Sequence, residues 1–143
     1  MKRFIIAAAA AIVGPVVANI TVLVTLRPLV IDPAMPLHAL TAGPVAVFTT
    51  IGALGAILVY AGLRAAMRNP DRTFVAISAL VLVLSFIPDY QIIGQTTGMF
   101  AGGTWPTALT LALMHVVAAA IIVPALLLLW GPRPATAVLT PPA

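Results

Sequence analysis

Four long apolar stretches fill most of this 143-residue chain, and nearly all its charges fall in the connections between them. A bilayer core about 30 Å thick needs about 20 apolar residues of helix to cross it. Residues 4–26, 43–63, 73–93 and 105–130 each supply that length. Helices are the open-chain solution that satisfies backbone N–H and C=O groups in lipid. The pattern therefore predicts an all-α fold, a polytopic membrane protein built as a four-transmembrane-helix bundle. Pro15 and Pro124 fall inside spans; membrane helices accommodate such prolines as kinks.

Composition narrows the function classes. The chain is 62% hydrophobic and 7% charged, whereas soluble domains carry roughly 25% charged residues. With no cysteine, disulfides and thiolate metal sites are excluded. The net charge of +4 could suggest nucleic acid, but Lys2, Arg3, Arg64, Arg68, Arg72 and Arg133 all flank apolar segments. Charges so placed set topology and meet lipid headgroups. With neither a basic helix nor an aromatic ladder to read bases, nucleic-acid binding is dropped.

The connections divide the chain into one domain, residues 1–130, and a Pro-rich tail, 131–143, expected to be disordered and cytoplasmic. Arg27 to Thr41 reads as a loop holding Asp32 and His38. Asn69-Pro70-Asp71 is a turn signal that could cap the third helix. Residues 94–104 carry four glycines and no charge, so this loop is either flexible or folded back on the bundle. An N-terminus in the cytoplasm leaves only Arg27 among the Lys and Arg side chains outside, which predicts both termini inside. Cleavage of the first span as a signal peptide near Val16-Val17-Ala18 is an alternative; the apolar run is long for it.

In lipid, helices associate through close-packed small side chains more than through hydrophobic drive. Ala7, Ala11, Gly14 and Ala18 form one such seam on the first span. Gly52, Gly55, Ala56 and Gly62 mark the second. Ala108, Ala112, His115 and Ala119 repeat the four-three-four spacing on the fourth, which places His115 on a face that meets other helices.

Ionisable groups inside spans are costly and mark functional candidates. Here they are Asp89 and His115, accompanied by Asn19, Thr49, Thr50, Ser78 and Ser85. At about 1.5 Å per residue, His115 lies about 15 Å past Trp105, and Asp89 about 6 Å inside the end of its span. Asn19, Thr49 and Thr50 enter from the same side. The expectation is a polar pocket of Asn19, Thr49, Thr50, Ser85, Asp89 and His115 opening to the outer face. Structural alternatives stand beside it. Asp89 could sit solvated at the interface if the third helix stops at Pro88, and His115 could bond across a helix seam. Thr and Ser can satisfy themselves on their own helix. Tyr60, Tyr90, Trp105 and Trp130 near span ends read as interface anchors.

More specific chemistries lack their residues. His38 and His115 offer no metal-ligand spacing, and a single membrane His does not ligate haem from two sides. The glycines of the second span lack the Lys and Ser/Thr of a phosphate loop. Ser85, His115 and Asp89 could be written as a catalytic triad, but Ser85 and Asp89 lie one turn apart on one helix. No metal and no cofactor is expected.

The layout resembles a family of small four-helix bacterial membrane proteins classed as a domain of unknown function. The segments that carry the resemblance are Lys2-Arg3-Phe4, Asn69-Pro70-Asp71-Arg72, the third-helix end Leu84-Ser85-Phe86-Ile87-Pro88-Asp89, and Leu113-Met114-His115-Val116-Val117-Ala118-Ala119. It covers most of the chain up to Trp130. It implies a single four-helix bundle in a bacterial inner membrane and brings no activity. Two function classes follow. One is a non-catalytic membrane protein, either an accessory subunit of a membrane complex or a small binder of lipid or a hydrophobic ligand. It leaves room for a membrane-protein partner or a homodimer. The other is a small membrane enzyme or proton-coupled transporter using Asp89 and His115, since histidine exchanges protons near neutral pH.

Overall fold

A computed structural model of the chain describes residues 2–30 and 37–130. The tail 131–143 and the stretch 31–36, with Asp32, lie outside the described residues. Four helices, α1 (Lys2–Val30), α2 (Ala42–Ala66), α3 (Pro70–Gln91) and α4 (Trp105–Trp130), are joined by turns and one short 3-10 turn at Gly98–Phe100. All four are long and apolar enough to cross a membrane. The fold is all-α, as the hydropathy pattern predicts.

The helix limits differ from the apolar limits in ways that matter. α1 runs on through Arg27 and Pro28 to Val30, so Arg27 belongs to the helix and not to a loop. Basic side chains suit that position, because they meet the negative end of the helix dipole. α3 starts at Pro70, whose missing N–H costs nothing in a first turn; Asn69 precedes it without making a side-chain cap bond. α3 also continues past Pro88 to Gln91, which keeps Asp89 on the helix.

Ring contacts bring Phe4, Tyr60, Phe74 and Trp130 together. The start of α1, the end of α2, the start of α3 and the end of α4 therefore share one end of the bundle, here the termini end. The other is the loop end. α1 packs between α2 and α4, and so does α3; α2 and α4 meet across the middle, while α1 and α3 do not touch among the described residues.

Two apolar clusters stack along this frame. Ala7, Ala11, Ala53, Ile57, Tyr60, Phe74, Ile122 and Leu126 form the one towards the termini. Leu23, Leu37, Leu40, Val45, Ile92, Ala108 and Met114 form most of the one at the loop end. α1 buries a strict four-residue stripe, Ala7, Ala11, Pro15, Asn19 and Leu23, the ridge along which helices commonly pack. Gly14 borders that stripe, and a Cβ built on it would lie 2.9 Å from the Ile121 Cγ2 methyl of α4.

The neighbour at Gly14 is the γ2 methyl of a β-branched residue, stiff at χ1 in a helix, so any added side chain forces a shift and its size sets how large. Gly14→Ala is expected to cost no more than about 1 kcal/mol, because alanine's better helix propensity offsets part of the cost of moving Ile121. Gly14→Leu should lose about 1–3 kcal/mol by overpacking. Unfolding by denaturing detergent, followed by circular dichroism, would check the contrast; equal losses in both would contradict the packing.

The second helix behaves differently. Nothing lies within 4 Å of a Cβ built on Gly52, Gly55 or Gly62, so among the described residues these glycines make no close helix approach within the chain. Gly55 and Gly62 are exposed, on the side of α2 away from buried Ala53, Ile57 and Tyr60.

Candidate functional site

Four of the polar residues singled out in the spans are bonded across helices, and the geometry sorts the rest. Asn19 is buried on α1, and its amide Nδ2 donates to Thr49 Oγ1 of α2 at 3.1 Å. Its Oδ1 is buried without a hydrogen-bond partner among the described residues. Thr50 gives its hydroxyl to the Ala46 carbonyl one turn back at 2.7 Å. Ser85 bonds the Leu82 carbonyl at 2.7 Å, so its proton is directed at its own helix and not at His115. Ser78 is half-buried on α3.

Asp89 and His115 do meet. His115 Nδ1 lies 2.9 Å from Asp89 Oδ2. Their nominal depths differ by about 9 Å on helix rise alone. The two side chains reach toward each other, because Cα–Cβ bonds tilt toward each helix's N-terminus. α3 and α4 are antiparallel, so Asp89 leans into the bundle while His115 leans back toward the loop end. Pro88, immediately before Asp89, removes an N–H from the ladder and leaves a carbonyl acceptor one turn earlier.

The six pocket candidates thus resolve into two interhelical pairs and two hydroxyls satisfied locally. Asn19–Thr49 ties α1 to α2, and Asp89–His115 ties α3 to α4. The cluster of Leu23, Val45, Ala108 and Met114 occupies the loop-end interior.

The surroundings of His115 set it apart from a packing histidine. Ala108, Ile122 and Leu126 share its face of α4 and are 5%, 6% and 0% exposed. The His115 side chain is 41% exposed, and that of Asp89 only 8%. Nearer to His115 on that face, Ala112 and Ala119 are half-buried as well, so the face is closed at its ends and open over the turns around His115. Across the interface, α3 buries only Phe74 and Asp89 among the described residues, so its middle turns are more open than its two ends. Nδ1 is engaged with Asp89, which leaves the far edge of the ring, with Nε2, as the accessible part. The donor and acceptor roles in the pair depend on the tautomer; with Asp89 ionised it can only accept, and the ring in its neutral form then offers Nε2 as an acceptor.

A second polar group lies at the termini end, where the pattern suggested only anchors. Tyr60 is fully buried. Its hydroxyl donates to Asp71 Oδ1 at 2.7 Å, and its ring packs against Phe74 and Trp130 at 4.8 and 5.4 Å between centroids. Arg64, one turn on, lies over the Tyr60 and Trp130 rings and donates to the Trp130 carbonyl. Tyr60 is therefore a hub of the core and not an interface anchor. The signal available in sequence was that Tyr60, Arg64, Asp71 and Trp130 all fall at the same end once the spans are drawn. Tyr90 and Trp105 are exposed and in edge contact at the loop end.

The model of a family of unknown function, DUF6069, matches residues 1–128. The chain belongs to that family. The match takes in both interhelical pairs and the Tyr60 hub, so these features lie inside the DUF6069 region, and only the final residues lie beyond it. No curated protein and no solved structure matches the chain significantly.

Proposed function

We propose that this DUF6069 chain is a non-catalytic integral membrane protein of a bacterial cytoplasmic membrane, both termini inside, that binds a membrane-soluble molecule at the side opening beside His115. Charge supports the orientation. Lys2, Arg3, Arg64, Arg68 and Arg72 belong to the termini end, and Arg27 to the loop end; short connections rich in Lys and Arg stay cytoplasmic.

The observation that carries the binding reading is the half-exposed His115, in the half-buried middle of its face of α4 and held by buried Asp89. An ionisable group at this depth is costly unless it is matched. Asp89 matches one ring nitrogen. An apolar molecule with a hydroxyl head matches the other, its body lying along the uncovered middle of α3.

Native mass spectrometry of the protein extracted from its own membrane in mild detergent tests this. The expected result is a discrete small-molecule adduct whose retention falls about tenfold in His115→Ala, the worth of one hydrogen bond in a desolvated site. Wild-type protein that never carries an adduct would sink the reading.

One observation favours a second reading, an accessory subunit of a membrane complex. The exposed Gly55–Gly62 side of α2 has the small-residue character of helix–helix contacts in lipid. Recovery with a stoichiometric protein partner in the same measurement, unchanged in His115→Ala, would select it.

A further inference from the structure

We infer that the α2–α3 turn is a binding site for the phosphodiester headgroup of an anionic phospholipid, held by Arg68 and Arg72. A cavity of about 330 Å³ is lined by Arg68, Asn69, Pro70, Asp71 and Arg72. Both arginines are exposed at its rim. Guanidinium forks match phosphate oxygens in pairs, which makes arginine the side chain suited to such a headgroup.

The Asp71 carboxylate in the lining offsets one of these charges, but among the described residues it forms no ion pair with either arginine. Its Oδ1 accepts the Tyr60 hydroxyl at 2.7 Å instead. Lys2 and Arg3 belong to the same end of the bundle, where Phe4 packs on Trp130. Among the described residues this end therefore gathers five cations around one carboxylate.

Position selects a lipid over a soluble phosphate. The turn joins two helices long and apolar enough to span a bilayer, so Arg68 and Arg72 stand where hydrocarbon gives way to headgroups. Met67 beside them is 46% exposed, an apolar neighbour suited to the upper acyl chain. The site lies at the opposite end from His115 and is independent of any ligand there.

The test is native mass spectrometry from detergent containing equal phosphatidylglycerol and phosphatidylcholine. Wild-type protein is expected to retain phosphatidylglycerol preferentially, by about fivefold for each arginine engaged. Arg68→Gln/Arg72→Gln should lose that preference, while Arg27→Gln at the loop end keeps it. Arg68→Lys/Arg72→Lys, which keeps the charges if the glutamine pair does not fold, should keep part of it. A wild type that retains the two lipids equally overturns the inference, as does a glutamine pair that binds like wild type. Displacement of phosphatidylglycerol by millimolar inorganic phosphate would overturn it too, by making the site one for a soluble anion.

Discussion

Gly103→Ala is expected to cost about 3 kcal/mol of stability, at the upper end for a single overpacked methyl group. A Cβ at this position would collide with the carbonyl oxygen of Ile92 and stand 2.8 Å from its carbonyl carbon. Both atoms are backbone, so no side chain can rotate out of the way. The segment cannot retreat either. Gly94 N–H donates to the Gly103 carbonyl at 3.0 Å, and Gly102 N–H to the Gln95 carbonyl at 2.9 Å. Together these fold residues 94–103 back on themselves. Gly94, Gly98 and Gly102 hold φ of 79°, 73° and 85°, a region that other residues enter at a cost. The Ala39 N–H donates to the Met99 carbonyl at 3.0 Å, tying this loop to the one between α1 and α2.

The damage should reach the candidate site. Ile92 is buried in the loop-end cluster and lies three residues past Asp89, so a backbone forced away from Gly103 drags the carboxylate from His115. The measurement is the thermal midpoint in detergent, with hydrogen exchange of residues 92–104 alongside. Gly62→Ala is the control. Nothing lies near its Cβ, and alanine in a helix interior should gain about 0.5–1 kcal/mol over glycine. A Gly103→Ala protein that melts with wild type, its loop equally protected, would refute the close approach.

The four helices were legible because length and hydropathy are properties of single segments. Asn19, Asp89 and His115 were legible as individuals, since each is a polar group where lipid penalises one. Their pairing was not. Which helix lies beside which is set by packing between segments, and no periodicity within one span carries that information. The outcome, α1 and α3 out of contact with α2 and α4 meeting between them, is what divides one expected pocket into two pairs. The α2 glycines show the same limit. Their spacing marks a close-approach face, but only the assembled bundle reveals that Gly55 and Gly62 look outward. Tyr60 was misread for another reason. A tyrosine at a span end satisfies the rule for interface anchors, and the same position also suits a hydroxyl that must reach the first turn of the next helix.

Tyr60→Ala is the second large effect, an expected loss of about 3–5 kcal/mol, the range for truncating a buried aromatic side chain. The ring touches Phe74 and Trp130 and lies under Arg64, so truncation opens a cavity where α2, α3 and α4 converge. Arg64 would lose one of the two rings that position its donor against the Trp130 carbonyl, and the end of α4 should loosen with it. Tyr60→Phe separates shape from polarity. It keeps the ring and deletes only the hydroxyl bonded to Asp71, so it should cost about 1 kcal/mol. That bond is shared with a half-buried carboxylate that water can still reach. Detergent unfolding monitored by Trp130 emission, in a Trp105→Phe background, would resolve the pair. If Tyr60→Phe is as damaging as Tyr60→Ala, the Asp71 bond rather than the aromatic packing holds this end together. If neither moves the transition, the termini end does not depend on Tyr60, and α3 is held chiefly by Asp89 and His115.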